Sequence, residues 1–208
     1  MLKKNKIEDI VILGRGRSRL FYFDGEKNEI SNVMLVNYES QDLSKKGLTY
    51  LSQKKIHIIF NICEPHLKKE EIDLLKISSI HVTIPWTMRI LGTRKRLHKK
   101  GNIYGNVKYL SYKMHKKWWL NNSGLIAIAH SVEVLKIKNI HLYGFEFYSD
   151  PKWANESYQN NEDYKRENQY SQALKNNFYN YIEQNTDTNF YIKAHTDFKP
   201  IKNLIVET

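Results

Sequence analysis

The chain has 208 residues and carries 33 lysines and arginines against 22 acidic residues, a formal charge of +11. With 41% hydrophobic and 12% aromatic residues it is too apolar to remain disordered, and its length suits one compact domain. The lone cysteine, Cys63, excludes a disulfide scaffold and a zinc site built on several thiolates.

No apolar run approaches the ~18 residues of a membrane span, and the first residues lack a secretory apolar region, so an intracellular protein is expected. The positive charge suits nucleic acid, an anionic membrane surface or a phosphorylated substrate, and equally the lysine excess of an AT-rich coding sequence.

Taken in chain order, the first apolar run is Ile10–Leu13, closed by Gly14. Val33–Val36 follows and ends at Asn37, then Ile56–Phe60 ends at Asn61. Leu67–Lys76 reads as a weak helix and Ile80–Ile84 as a fourth strand. A helix starting near Ser123 puts Leu125, Ile128, Ala129, Val132 and Leu135 on one face, with Asn122 as its cap. Ile140–Tyr143 is a fifth strand, Tyr170, Leu174, Phe178 and Tyr181 form a second helical stripe, and Phe190–Ile192 closes the series. Short β-branched runs bounded by turn residues and alternating with helices predict a doubly wound, mostly parallel α/β sheet of the Rossmann-like kind.

Two stretches fit no element. Thr87–Leu120 is basic and aromatic, and Ser149–Gln169 is polar with Trp153, Tyr158 and Tyr164 spread through it. Ligands of such folds bind beyond the carboxyl ends of the strands, so residues 149–170 read as a lid within a single 1–208 domain.

The candidate binding residues sit at those carboxyl ends. Gly14-Arg15-Gly16-Arg17-Ser18 is either a phosphate cradle or a plain strand-to-helix turn; it lacks the third glycine of a dinucleotide fingerprint and the lysine of a P-loop. Asn37 and Asn61 can hydrogen-bond a sugar hydroxyl or a base edge without charge, though asparagine is also an ordinary turn residue. Asn122-Ser123-Gly124, after Asn121, is an anion cradle or a normal cap.

These residues, with Gly144-Phe145-Glu146-Phe147-Tyr148, resemble the small bacterial sialyltransferases that build lipooligosaccharide from CMP-sialic acid. That family has a glycine loop after its first strand, asparagines ending the next two, a Ser-Gly helix start and an Asp-Phe-Tyr segment. The counterparts here are Val11–Ser18, Asn37, Asn61, Asn122–Gly124 and Tyr143–Tyr148, and order and spacing agree over most of residues 9–150.

The resemblance implies an inverting, metal-independent glycosyltransferase with no cofactor beyond its CMP-sugar donor. Gly14, Arg15, Gly16, Ser18, Asn37, Asn61, Asn122, Ser123 and Gly124 are then the substrate-binding residues. Tyr148 matches the tyrosine that hydrogen-bonds the departing phosphate, and Tyr158 is a candidate for the second such tyrosine. Implied partners are a glycan or lipid-linked glycan acceptor, the inner membrane face through peripheral contact, and a second copy of the chain, with a cytoplasmic location.

The chain departs from the pattern in two places. Arg15 stands where the family has a loop asparagine, and no histidine lies between Asp150 and Gln172, where the family base belongs. Asp163, Glu162 and His195 are the replacement candidates; His57, His81 and His141 fall within strands and read as buried structural residues. A nucleotide-dependent phosphotransferase is a second class, weakened by the isolation of Asp24 and Asp150. A nucleotide-fold protein that binds glycan or nucleic acid without turnover is the third.

Overall fold

The computed structural model describes residues 7–24, 29–38, 44–61, 73–75, 77–83, 107–110, 122–147 and 162–207, with backbone only at 60–61, 82–83, 107–110 and 162–170. In chain order it runs β1 (Asp9–Leu13), a 3-10 turn (Arg17–Arg19) leading into α1 (Leu20–Asp24), β2 (Asn32–Val36), α2 (Lys45–Leu51), β3 (Lys55–Asn61) and β4 (Ile77–Thr83). After these come β5 (Val107–Leu110), α3 (Ser123–Glu133), β6 (Asn139–Tyr143), α4 (Glu162–Glu183), β7 (Asn189–Lys193) and β8 (Leu204–Val206). The architecture is a mostly parallel α/β fold of the Rossmann-like kind, as its alternating apolar runs predict. No helix among the described residues is long and apolar enough to cross a membrane.

Two compact units divide the chain: Met1–Ile30 with His130–Thr208, and Ser31–Ala129. In the first, β1, β6, β7 and β8 lie side by side, every pairing parallel. Leu13 pairs with Tyr143 and Tyr143 with Lys193, so the carboxyl ends of β1, β6 and β7 stop level with one another. β1 and β6 are buried from their second residue onward, which explains their unbroken apolar runs.

In the second unit β2, β3, β4 and β5 pair in that order, again all parallel. β4 begins at Ile77, three residues before the predicted Ile80, and a register shift at Ile56/His57 absorbs the mismatch with β3.

Two expectations need correction. The basic stretch Thr87–Leu120 contains a strand: Val107–Leu110 pairs with Ile80–Thr83. The second half of the predicted lid is helical, since α4 starts at Glu162. Glu162 and Asp163 therefore lie in its first turn. Of Leu67–Lys76, residues 73–75 are helical and the rest lies outside the described residues.

α3 is buried all round from Gly124 to Ser131, which fits its nearly continuous apolar sequence. Asn122 caps it, its Oδ1 accepting from the Gly124 N–H at 2.9 Å and the Leu125 N–H at 3.2 Å. The helix ends with Lys136 in the left-handed region (φ 56) and the Ile137 N–H donating to the Ser131 carbonyl at 3.1 Å.

α4 packs through Ser171, Phe178 and Ile182. Phe178 meets Phe147 and Phe198 at ring separations of 5.3 and 5.8 Å. Its Tyr181 hydroxyl donates to Glu133 at 3.3 Å; burial first, and then the Glu133 charge, push that phenol well above its ordinary range. Buried Asn203 ties the end of α4 to the turn before β7, its amide facing the carbonyls of Ile182, Asn185 and Thr188 at 2.9, 3.2 and 3.3 Å.

Candidate functional site

The loops beyond β1, β6 and β7 meet at one edge of the first unit. Glycines make the first junction. The Gly14 N–H donates to the Tyr143 carbonyl at 2.8 Å and the Gly16 N–H to the Gly144 carbonyl at 3.1 Å. A Cβ on Gly14 would fall on the Gly144 carbonyl oxygen, and one on Gly16 would fall on the Glu146 carboxylate. A Cβ on Gly144, itself at φ +78, would sit 2.8 Å from the Gly14 carbonyl oxygen. The glycines let two loops cross in contact, which accounts for Gly14-x-Gly16 without any ligand.

Glu146 locks the crossing. Its side chain is 2% exposed, and its Oε1 accepts from the Ser18 N–H at 2.8 Å. Ser18 is fully buried, and its Oγ accepts from the Gly144 N–H at 2.8 Å. A carboxylate at the start of a helical turn is favourable for the reason a phosphate would be, because the first N–H groups carry partial positive charge. The protein thus supplies its own anion here.

The preceding strand run pins this geometry from the other side. Phe145 and Phe147 flank Glu146 and are buried, 5.9 Å apart edge to face. Phe147 holds φ 48, uncommon for a bulky residue, and packs at 6.2 Å from Phe198 as well as against Phe178. Apolar side chains go one way and the carboxylate the other.

Arg15 and Arg17 alternate with the glycines and are exposed. Phe21 of α1 joins this loop to the end of β7: the exposed His195 ring lies 4.5 Å from it, tilted by 48°, and the Lys193 Nζ lies 5.2 Å over its face. His195, one of the candidate bases, therefore sits at the same edge as Arg15 and Arg17.

In the second unit a different pair comes together. Asn37 directly follows β2 with φ 47, its N–H donating to the Ile59 carbonyl at 2.8 Å. Its side-chain Nδ2 donates to the Ser123 Oγ at 2.8 Å. Both residues are half-buried, so an amide carbonyl and a hydroxyl lie side by side at a strand end and a helix start. Gly124 is buried behind Ser123, and Asn122 is occupied as the helix cap. Asn61 is the last residue of β3, two beyond Ile59. All these groups are neutral.

The strand histidines are buried as expected. His57 Nδ1 and His81 Nε2 both bond the Ser79 hydroxyl, at 2.7 and 2.8 Å. His141 stacks on Tyr191, its register partner on β7, at 4.5 Å.

Tyr148, Tyr158, Asn121, residues 149–161 of the predicted lid and most of the basic stretch lie outside the described residues. For Asp163 the backbone alone is described. Reading by motif passed over Glu146, Arg17 and Phe21. An acid between two phenylalanines directly after a buried strand was the available signal for Glu146, since a charge in such a place needs a partner. No family model, curated protein or solved structure matches this chain.

Proposed function

We propose that the protein is a glycosyltransferase that moves sialic acid, or a related keto-sugar acid, from a CMP-activated donor to a glycan acceptor. The reaction is inverting and needs no metal in this reading. The observation that carries it is the Asn37–Ser123 hydrogen bond at 2.8 Å, which joins two residues 86 apart that the resemblance assigns to donor binding. An amide and a hydroxyl held together at a strand's carboxyl end and a helix start suit a cytidine or a sugar, because they recognise hydrogen-bonding edges without charge.

In the proposed step the acceptor oxygen attacks the anomeric carbon and the bond from that carbon to the phosphate oxygen breaks. The electron pair leaves on the CMP phosphate, and the acceptor proton passes to a base. Tyr148 and Tyr158 would stabilise the phosphate by hydrogen bonding. His195 is the favoured base over Asp163, since it is exposed at a strand end while Asp163 begins a helix. A positioned base contributes roughly 10²–10⁴-fold, so His195→Gln should lower turnover by that order with little change in donor affinity.

A second reading, binding without turnover, draws on Glu146, whose carboxylate stands where a glycine-loop protein would receive phosphate. Incubation with CMP-sialic acid and a lipooligosaccharide acceptor separates the two. Release of CMP that depends on acceptor supports transfer. Binding of CMP with no release on any acceptor supports the second reading.

A further inference from the structure

We infer that Phe21 is a positioning residue for His195: its phenyl ring holds the imidazole by ring contact and engages neither ring nitrogen. The clause about packing stands by itself, whereas the clause that this packing serves a base rests on the proposed transfer reaction.

Among the described histidines, His57 and His81 are buried and share the Ser79 hydroxyl. His141 is buried against Tyr191, and His130 is 1% exposed within α3. His195 differs from all of these in being exposed. Its ring lies 4.5 Å from that of Phe21, tilted by 48°, and no hydrogen bond to either of its nitrogens occurs among the described residues. An imidazole held by a hydrogen bond commits one nitrogen to it, as His57 does to Ser79. One held by ring contact keeps both nitrogens for proton transfer.

Phe21 is itself held in place by its neighbours. The 3-10 turn ahead of α1 is tied down by buried Ser18, whose hydroxyl accepts from the Gly144 N–H at 2.8 Å. Tyr22 is 1% exposed and packs its ring 5.5 Å from that of Tyr143, the last residue of β6. Successive helical residues point about 100° apart. With Tyr22 against the end of β6, Phe21 meets the end of β7, where the Lys193 Nζ lies 5.2 Å over its ring and His195 beside it. Tyr143 and Lys193 are register partners, so two consecutive aromatics of α1 reach two adjacent strands at one level. His195 lies two residues past β7 and takes its orientation from that ring. A base must come within hydrogen-bond reach of the acceptor hydroxyl, and a misplacement of about 1 Å can cost ~10²-fold.

The test joins a spectroscopic and a kinetic reading on the full chain, for wild type, Phe21→Leu, Phe21→Tyr and the control Leu20→Ala, an exposed neighbour. Histidine ring resonances are recorded by NMR, with His195 assigned by its loss in His195→Gln. In Phe21→Leu the His195 resonances should move to the position of an unstructured histidine, while those of His57 and His81 stay in place. Phe21→Tyr and Leu20→Ala should leave all of them unmoved. With CMP-sialic acid and a lipooligosaccharide acceptor, Phe21→Leu should lower kcat roughly 10–100-fold at unchanged donor KM, and Phe21→Tyr should restore it. In a His195→Gln background Phe21→Leu should cause no further loss, since residues that act as a unit are not additive.

Unmoved His195 resonances in Phe21→Leu overturn the inference. An equal loss of kcat with and without His195 overturns it too, because a residue that only stabilised the fold would act in both backgrounds. Displaced resonances with no transfer by wild type uphold the packing and defeat the transfer reading, and transfer with unmoved resonances does the reverse. Phe21→Met fills similar space without a ring and gives the same readings where the leucine variant does not fold.

Discussion

Two loops at strand ends carry similar sequence signals and are built in opposite ways. After β1, Gly14–Ser18 is ordered by a buried carboxylate 128 residues away, through the Ser18 N–H bond to Glu146. After β2, Asn37 is ordered by a neutral hydroxyl, through its bond to Ser123. The first loop donates its Gly14, Gly16 and Ser18 N–H groups to the protein and has Arg15 and Arg17 exposed. The second keeps an amide and a hydroxyl half-buried beside a helix start. A glycine loop and an asparagine turn are both standard marks of a ligand edge, yet only the partners across the sheet decide which atoms a ligand could meet.

The largest effect should come from filling the loop crossing. Gly14→Ala and Gly16→Ala each force a Cβ into backbone or carboxylate, so a loss of about 3 kcal/mol is expected in denaturant melts. Losses below about 0.5 kcal/mol would mean the two loops do not cross as described.

Next comes Glu146. Glu146→Ala removes the acceptor from a buried N–H and should cost about 2–3 kcal/mol, whereas Glu146→Gln retains an acceptor and should cost about half as much. Equal losses would mean that charge, rather than shape and hydrogen bonding, sets the loop.

Asn37→Gly sharpens the contrast from the other side. Glycine accepts the left-handed backbone at that position, so the change falls on the side chain, and losing its bond to Ser123 costs about 1 kcal/mol. CMP affinity should fall about tenfold in the same variant. A stability loss as large as that of Glu146→Ala, with CMP affinity intact, would make Asn37 a structural residue like Glu146.

The smallest effect is a gain remote from both loops. Lys136 ends α3 at φ 56, and Lys136→Gly should raise stability by up to about 1 kcal/mol by relieving the left-handed backbone.

The parallel sheet was legible because its core strands are apolar on both faces, so Ile10–Leu13, Val33–Val36 and Ile140–Tyr143 stand out as unbroken runs. β5 hid because Lys108 interrupts a four-residue strand within a lysine-rich stretch, and β8 because Leu204–Val206 is only three residues long. α1 and α2 are five and seven residues long, too short for a helical period to show, and α2 has a buried glycine at Gly47. For α4 the stripe was read one residue off at its C-terminal end: Phe178 and Ile182 are buried, while Tyr181 is half-exposed toward Glu133.

The candidate site was legible only in part. Asn37 and Ser123 could be picked out as types, but their contact spans 86 residues and no local pattern encodes it. Glu146 illustrates the opposite failure, in which the residue belonged to a noticed motif while its partner, Ser18, was assigned to a ligand. Turn glycines carry no record of whether they admit a phosphate or a neighbouring loop.

The most direct test of the account is the thermal shift of the protein with CMP, set against UMP, GMP and ADP, with and without EDTA. At a hundredfold excess over its dissociation constant a ligand stabilises by ~2.7 kcal/mol, a rise of several degrees at this size. A rise confined to CMP and indifferent to EDTA is the predicted result. Silence toward CMP, or a larger Mg²⁺-dependent response to a purine nucleotide, would contradict the account.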